Sequence, residues 1–177
     1  VMNDGGTMVQ VAVTDLAAYF DDEITAMPNL VTVGAGGTAS TVAGIPFFSA
    51  DNSIYTHDVS GTDDTAQHNA AYGIGAMDAI TTGDQNSALG YNALSANNTG
   101  AQNTAMGRLS LEANTSGDNN TAYGSSTLSA NSTADDNTAI GKGSMQSNTT
   151  GAANTAVGKD SLKANTTGTR NLAIGYQ

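Results

Sequence analysis

The chain has 177 residues, a net charge of −11, 38% hydrophobic residues, 21 glycines, no tryptophan and no cysteine. All three phenylalanines fall at or before Phe48, so a large aromatic core is excluded and an elongated body with a thin core is expected. Lack of cysteine removes disulfides, thiolate ligands and thiol nucleophiles, and the acidic balance disfavours nucleic acid and anionic membranes as partners.

The first predicted element is a strand marked by Met8, Val9, Val11 and Val13. A short helix follows. Thr14 or Asp15 caps it, Leu16, Ala17, Phe20 and Ile24 share one face, and Pro28 ends it. "NLVTVGA" reads as another strand and "GAGGTAS" as a flexible joint. "VGAGGTAS" lacks the Lys-Ser/Thr ending of a phosphate-binding P-loop and the spacing of a dinucleotide loop. Residues 1–50 are therefore expected to form a small α/β module that attaches or positions the rest. Residues 51–68 read as a transition of short strands and turns. No run of apolar residues is long enough to span a bilayer, and Val1-Met2-Asn3-Asp4 does not read as a signal peptide. A first residue of Val rather than Met suggests an excerpt of a longer polypeptide.

From residue 69 to 177 a 17-residue unit repeats without insertions. One Asn column runs through Asn86, Asn103, Asn120, Asn137, Asn154 and Asn171. Ala88, Ala105, Ala122, Ala139, Ala156 and Ala173 follow two residues later. Gly90, Gly107, Gly124, Gly141, Gly158 and Gly175 come next. A Leu/Met column holds Leu94, Leu111, Leu128, Met145 and Leu162, and a second Asn column holds Asn97, Asn114, Asn131, Asn148 and Asn165. A degenerate copy keeps phase through Asn69, Ala71, Gly73, Met77 and Gly83, with Ile80 in place of the second Asn. A weaker copy through Asn52 is at the edge of recognition.

An invariant period is a geometric demand, met by a parallel β-solenoid whose coils rise about 4.8 Å each, so that six coils span about 29 Å. Each unit is expected to contain two extended pieces, "TAIG" and "SLxAN" or their equivalents, with "NTTG" as a turn whose Gly is available for positive φ. The Asn columns are expected to form amide ladders. In the first piece Ala is followed at once by Leu89, Met106, Tyr123, Ile140, Val157 or Ile174, and adjacent strand residues point to opposite faces. The expected interior is the Ala column with the Leu/Met column. The larger residues then form an outer apolar stripe, buried between chains. The alternative keeps the larger column inside and the alanines exposed. On the first reading Ile140→Asp blocks assembly and Lys142→Asp is tolerated.

Candidate sites are few. His57, His68, Asp58, Asp63 and Asp64 cluster in sequence, but in no metal-ligand spacing, so a solvated loop is the preferred reading. Asp21, Asp22 and Glu23 read as a solvated helix face. Both histidines precede the clear repeats, and the acidic residues of the array are read as offering no repeated or paired site, so no catalytic residue is assigned. The N-x-S/T triplets at Asn97, Asn114, Asn119, Asn131, Asn148 and Asn165 are by-products of the repeat. Thr104, Thr121, Thr138 and Thr155 form a single row without the double row of an ice-binding face.

"NSALGYNALSANNTG", "NTAMGRLSLEANTSG" and "NTAVGKDSLKANTTG" resemble the NTAxGxxxL repeats of bacteriophage tail fibres and related fibre-like virion proteins. The resemblance covers about residues 58–177, and "NDGGTMVQVAVTDLAAYF" is more weakly similar to modules that precede the shaft in such proteins. It implies a homotrimeric β-rich fibre in the virion tail, extracellular and acting in host adsorption. Expected partners are two further copies of the chain, other tail proteins reached through the N-terminal region, and a host-surface receptor. It implies no cofactor and no catalytic residues. The alternative is a trimeric bacterial surface adhesin, whose head repeats carry a similar "AIG" strand in a shorter unit.

Overall fold

Each repeat begins with an Asn and a three-residue strand, and a glycine terminates the strand. At Gly90, Gly107 and Gly124 φ is 142°, 136° and 139°, a conformation that favours glycine. Space is equally restrictive. A Cβ at Gly124 would sit 2.7 Å from the backbone carbon of Gly141 in the next coil. Chain direction therefore changes at the same point in every coil, and the strands that precede these turns stack in register.

The computed structural model describes residues 40–42, 45–50, 53–55 and 65–176. The expected helix at residues 15–27, the strands before and after it, and His57, Asp58, Asp63 and Asp64 lie outside the described residues. Among the described residues ten strands form one sheet in sequence order. Strands β1 (Ser40–Val42), β2 (Ile45–Ala50) and β3 (Ser53–Tyr55) pair antiparallel in turn. From β3 onward every pairing is parallel, through β4 (Ala70–Tyr72), β5 (Ser87–Leu89), β6 (Thr104–Met106), β7 (Thr121–Tyr123), β8 (Thr138–Ile140), β9 (Thr155–Val157) and β10 (Leu172–Ile174). The described residues form a parallel β-solenoid of about six coils, with no helix among them. Register advances by 17 at every step from β4 onward, as in Ala105↔Ala122, but by 16 between β3 and β4, where Tyr55 faces Ala71. The weak copy through Asn52 thus joins the ladder one residue out of phase.

The second extended piece expected in each unit is not a strand. Residues such as Asn92 and Leu94, or Ser126 and Leu128, have φ between 51° and 55°. Two left-handed residues, two apart, curl the chain. Axial bonding nevertheless continues: Asn92 N–H donates to Ile74 O, Leu94 N–H to Ser110 O and Ala96 N–H to Glu112 O, at 3.0–3.1 Å. Backbone groups are satisfied by the coils above and below even where the path is not β.

A second correction concerns the glycine of "NTTG". Gly100, Gly117 and Gly151 do not adopt positive φ. They are glycines for want of room. A Cβ on Gly100 would lie 2.5 Å from both Gly117 O and Asn97 Oδ1.

The core is two apolar columns facing each other. Ala71, Ala88, Ala105, Ala122, Ala139 and Ala156 come from the strands, and Met77, Leu94, Leu111, Leu128 and Met145 from the curled segments, all buried. Leu162 is partly buried against the same cluster. The Leu/Met column is left-handed throughout, with φ from 49° to 57° over these residues. A β-branched side chain is strongly disfavoured in that conformation, which accounts for a column of Leu and Met alone. Leu128→Ile conserves volume, and such swaps normally cost less than about 1.5 kcal/mol. Here urea unfolding is expected to show a loss above that value, because strain of order 1–3 kcal/mol is added. Leu128→Met is expected to be nearly neutral.

Candidate functional site

Alternation along each strand decides what the outside of the rod presents. The central Ala points inward, and the residues on either side of it point outward. Before the Ala come Ser87, Thr104, Thr121, Thr138 and Thr155. After it come Leu89, Met106, Tyr123, Ile140, Val157 and Ile174. All of the latter are exposed except Val157, which is half-buried. Among Leu89, Met106, Tyr123 and Ile140 the exposure of the residue runs from 37% at Met106 to 58% at Tyr123. Since Leu89 pairs with Met106, Met106 with Tyr123, and Tyr123 with Ile140, these side chains form one continuous stripe. Ile74 and Tyr91 widen it at one end, and Leu172 and Tyr176 at the other.

Behind the stripe two amide ladders hold the strands in position. In the first, each Asn side-chain oxygen accepts two bonds from the next coil. Asn103 Oδ1 receives Asn120 N–H at 2.9 Å and Asn120 Nδ2 at 3.1 Å. Asn103 Nδ2 donates to Asn86 Oδ1 at 3.2 Å and to Gly117 O at 2.8 Å. Both donors and both acceptor positions of a buried amide are filled. In the second ladder, Asn114 Nδ2 donates to Asn97 Oδ1 and Gly117 O, both at 2.9 Å. The two ladders meet: the carbonyl of Gly117 accepts from Asn103 and from Asn114. The same doubly accepting carbonyl recurs at Gly100, Ala134, Gly151 and Gly168. The series continues through Asn131, Asn137, Asn148 and Asn154, and ends at the half-buried Asn165 and the exposed Asn171.

The structure contains a carboxylate column that the sequence reading missed. Asp84 Oδ1 accepts Gln67 N–H, Asp118 Oδ1 accepts Ala101 N–H and Asp135 Oδ1 accepts Asp118 N–H, at 2.7–2.8 Å. Each caps the coil before its own. The signal was available, because 84, 118 and 135 differ by multiples of the period. Spacing by the same rule places Arg108, Lys142 and Lys159 in one exposed column just after the apolar stripe. Lys159 Nζ lies 4.8 Å from the Tyr176 ring and 3.5 Å from Asp160. Tyr176 first, and then Asp160, raises the Lys159 pKa. Asp160 accepts a hydrogen bond from Lys163 at 3.0 Å, which holds its carboxyl below the usual range.

Chemistry-bearing groups are sparse. His68 is exposed and left-handed, with φ of 60°. Among the described residues no three His, Asp or Glu side chains come together, and no helix is long and apolar enough to cross a membrane. An open cavity of about 500 Å³ lies at the C-terminal end, lined by Leu162, Asn165, Asn171 and Ala173. These are the columns that close the interior in the preceding coils, so the cavity is the end-on view of the solenoid channel. No family model, curated protein or solved structure matches the chain.

The ladders carry a clear expectation. Asn120→Ala leaves several buried partners unsatisfied, each at about 1–3 kcal/mol, so a loss of at least about 3 kcal/mol is expected in urea unfolding. Asn120→Asp is more diagnostic. An ionised carboxylate there faces the oxygens of Asn103 and Ala134, so its folded pKa is raised above the unfolded value. Stability of that variant is expected to be greatest below the unfolded carboxylate pKa and to fall as pH rises toward the folded one, opposite to the ordinary acid-denaturation slope.

Proposed function

We propose that the chain is a structural shaft segment of a bacteriophage tail fibre or fibre-like virion protein, assembled from three copies side by side. The observation that carries this reading is the in-register apolar stripe along one face of a regular rod. A contiguous exposed apolar strip is unusual on a monomer, and burial between copies is the physical remedy. The repeats "NTAxGxxxL" on the same coils support the virion assignment through their resemblance to fibre shafts. On this reading the rod acts mechanically. Its axial hydrogen bonds and amide ladders give stiffness, and its length sets the reach toward a host surface.

The remaining roles follow from that position. Residues 1–50 serve as the α/β module that joins the shaft to other tail proteins. A host-surface receptor is contacted by the assembled fibre in the extracellular space. The shaft has no catalytic role and takes no cofactor. Leu89, Met106, Tyr123, Ile140, Val157 and Ile174 seal the copies together.

Mass photometry is expected to give a trimer for the wild-type chain. Ile140→Asp places an unpaired carboxylate in the centre of the seam, where burial costs several kcal/mol. The expected loss is on the order of 100-fold or more in the association constant. A monomeric wild type, or an Ile140→Asp variant that assembles normally, would contradict the seam.

A further inference from the structure

The apolar stripe has flanks of opposite charge. On the side that follows the strand, Arg108, Lys142 and Lys159 are exposed. On the side that precedes it, Asp84, Asp135 and Asp136 are exposed and Asp118 is half-buried, and the exposed Arg170 stands in the Asp136 column two coils further on, so the acidic flank ends before the last strand. These flanks stand at the two ends of the same strands: Asp136 lies two residues before Thr138, and Lys142 two residues after Ile140. Lys159 is engaged by Asp160 within the chain. Among the described residues, neither Lys142 nor Asp136 takes part in an ion pair.

We propose that this polarity makes the seam directional, with Lys142 of one copy meeting Asp136 of the next. The inference rests on the seam reading above and adds to it the orientation, the level and the pairing residues. Symmetry supplies the argument. If copies are related by rotation about an axis along the rod, the end of one strand faces the start of its neighbour's, and cations meet carboxylates. If rods pack antiparallel about an axis along the strands, like ends face each other, and Lys meets Lys while Asp meets Asp. Like charges opposed across an interface are disfavoured, and complementary ones fix register.

Level follows from the same columns. Lys142 and Asp136 flank one strand, β8, so they face each other when the copies are not staggered. Arg108 is then one coil, about 4.8 Å, from the nearest carboxylates of the neighbour, within reach of a long side chain, whereas Lys159 lies one coil from both Asp136 and Arg170 and is held by its own Asp160. This replaces the sequence-based expectation that Lys142 tolerates Asp.

Sedimentation equilibrium on the full chain tests the pairing. Exposed ion pairs are weak, so Lys142→Asp and Asp136→Lys are each expected to lower association by about fivefold per contact, with stronger effects at low salt. The combined exchange is expected to restore it to within about twofold, since the pair is rebuilt in reverse. Orientation is read independently with nitroxides on Thr133→Cys and Thr167→Cys, two exposed positions of one column at the middle and toward the end of the rod. Parallel copies give the same inter-label distance at both. A short distance at 133 with a long one at 167 would overturn the proposal. So would a wild-type assembly that Ile140→Asp disrupts but both charge reversals leave intact, a result that spares the seam itself. A monomeric wild type would remove the seam and this inference together.

Discussion

A backbone carbonyl that accepts two buried side-chain amides, repeated once per coil, is the contact on which the rest of this solenoid depends. At Gly117 the donors are Asn103 and Asn114, from opposite ends of the same coil. That arrangement closes the ring of each coil through hydrogen bonds rather than apolar bulk, which suits a chain whose inward strand residues are all alanine. It also ties each coil to the next, because Asn103 and Asn114 bond in addition to Asn120 and Asn97. A shift of one residue would take an amide out of both sets at once. The period is therefore held at 17, and insertions have nowhere to go.

The same contact explains the least ordinary feature of the backbone. Buried Leu and Met side chains sit in the left-handed region in every complete coil, at a cost of order 1–2 kcal/mol each. Such a conformation persists where surroundings over-determine it. Here the curled segment is held on both sides by axial N–H···O bonds, and its side chain fills the channel opposite the alanines. Solenoid stability is close to a sum of coil and nearest-neighbour terms, so a small penalty per coil is tolerated when every interface offsets it.

Much of this was legible in the sequence, and the reasons differ by residue. The parallel solenoid could be read from Asn103, Asn120 and Asn137 alone, since an invariant period fixes stacking before any dihedral is known. Inward Ala and outward Ile or Tyr followed from strand alternation. Leu128 misled: an apolar residue between polar neighbours reads as a strand position, and propensity cannot signal a left-handed leucine. Gly117 misled in another way, because glycine marks either positive φ or lack of space, and only the neighbouring coil distinguishes them. Asp118 and Asp135 were missed although their spacing equals the period, because Ala101 and Ala152 interrupt the column and a carboxylate that caps a backbone N–H leaves no other mark in the sequence.

Regularity links these contacts to the proposed role. Amide ladders fix the axial register, register aligns Leu89 through Ile174 into one stripe, and the stripe is what a second and third copy would cover. A direct test of the central claim compares two deletions by urea unfolding. Removing one whole coil, residues 120–136, keeps every ladder in phase, and is expected to leave a cooperative transition of slightly lower slope. Removing the single residue Ala130, on the curled segment, shifts everything after it by one, and is expected to abolish that transition or lower its midpoint sharply. If the single-residue deletion unfolds like the parent while the whole-coil deletion does not, the 17-residue amide lattice is not what holds the rod together.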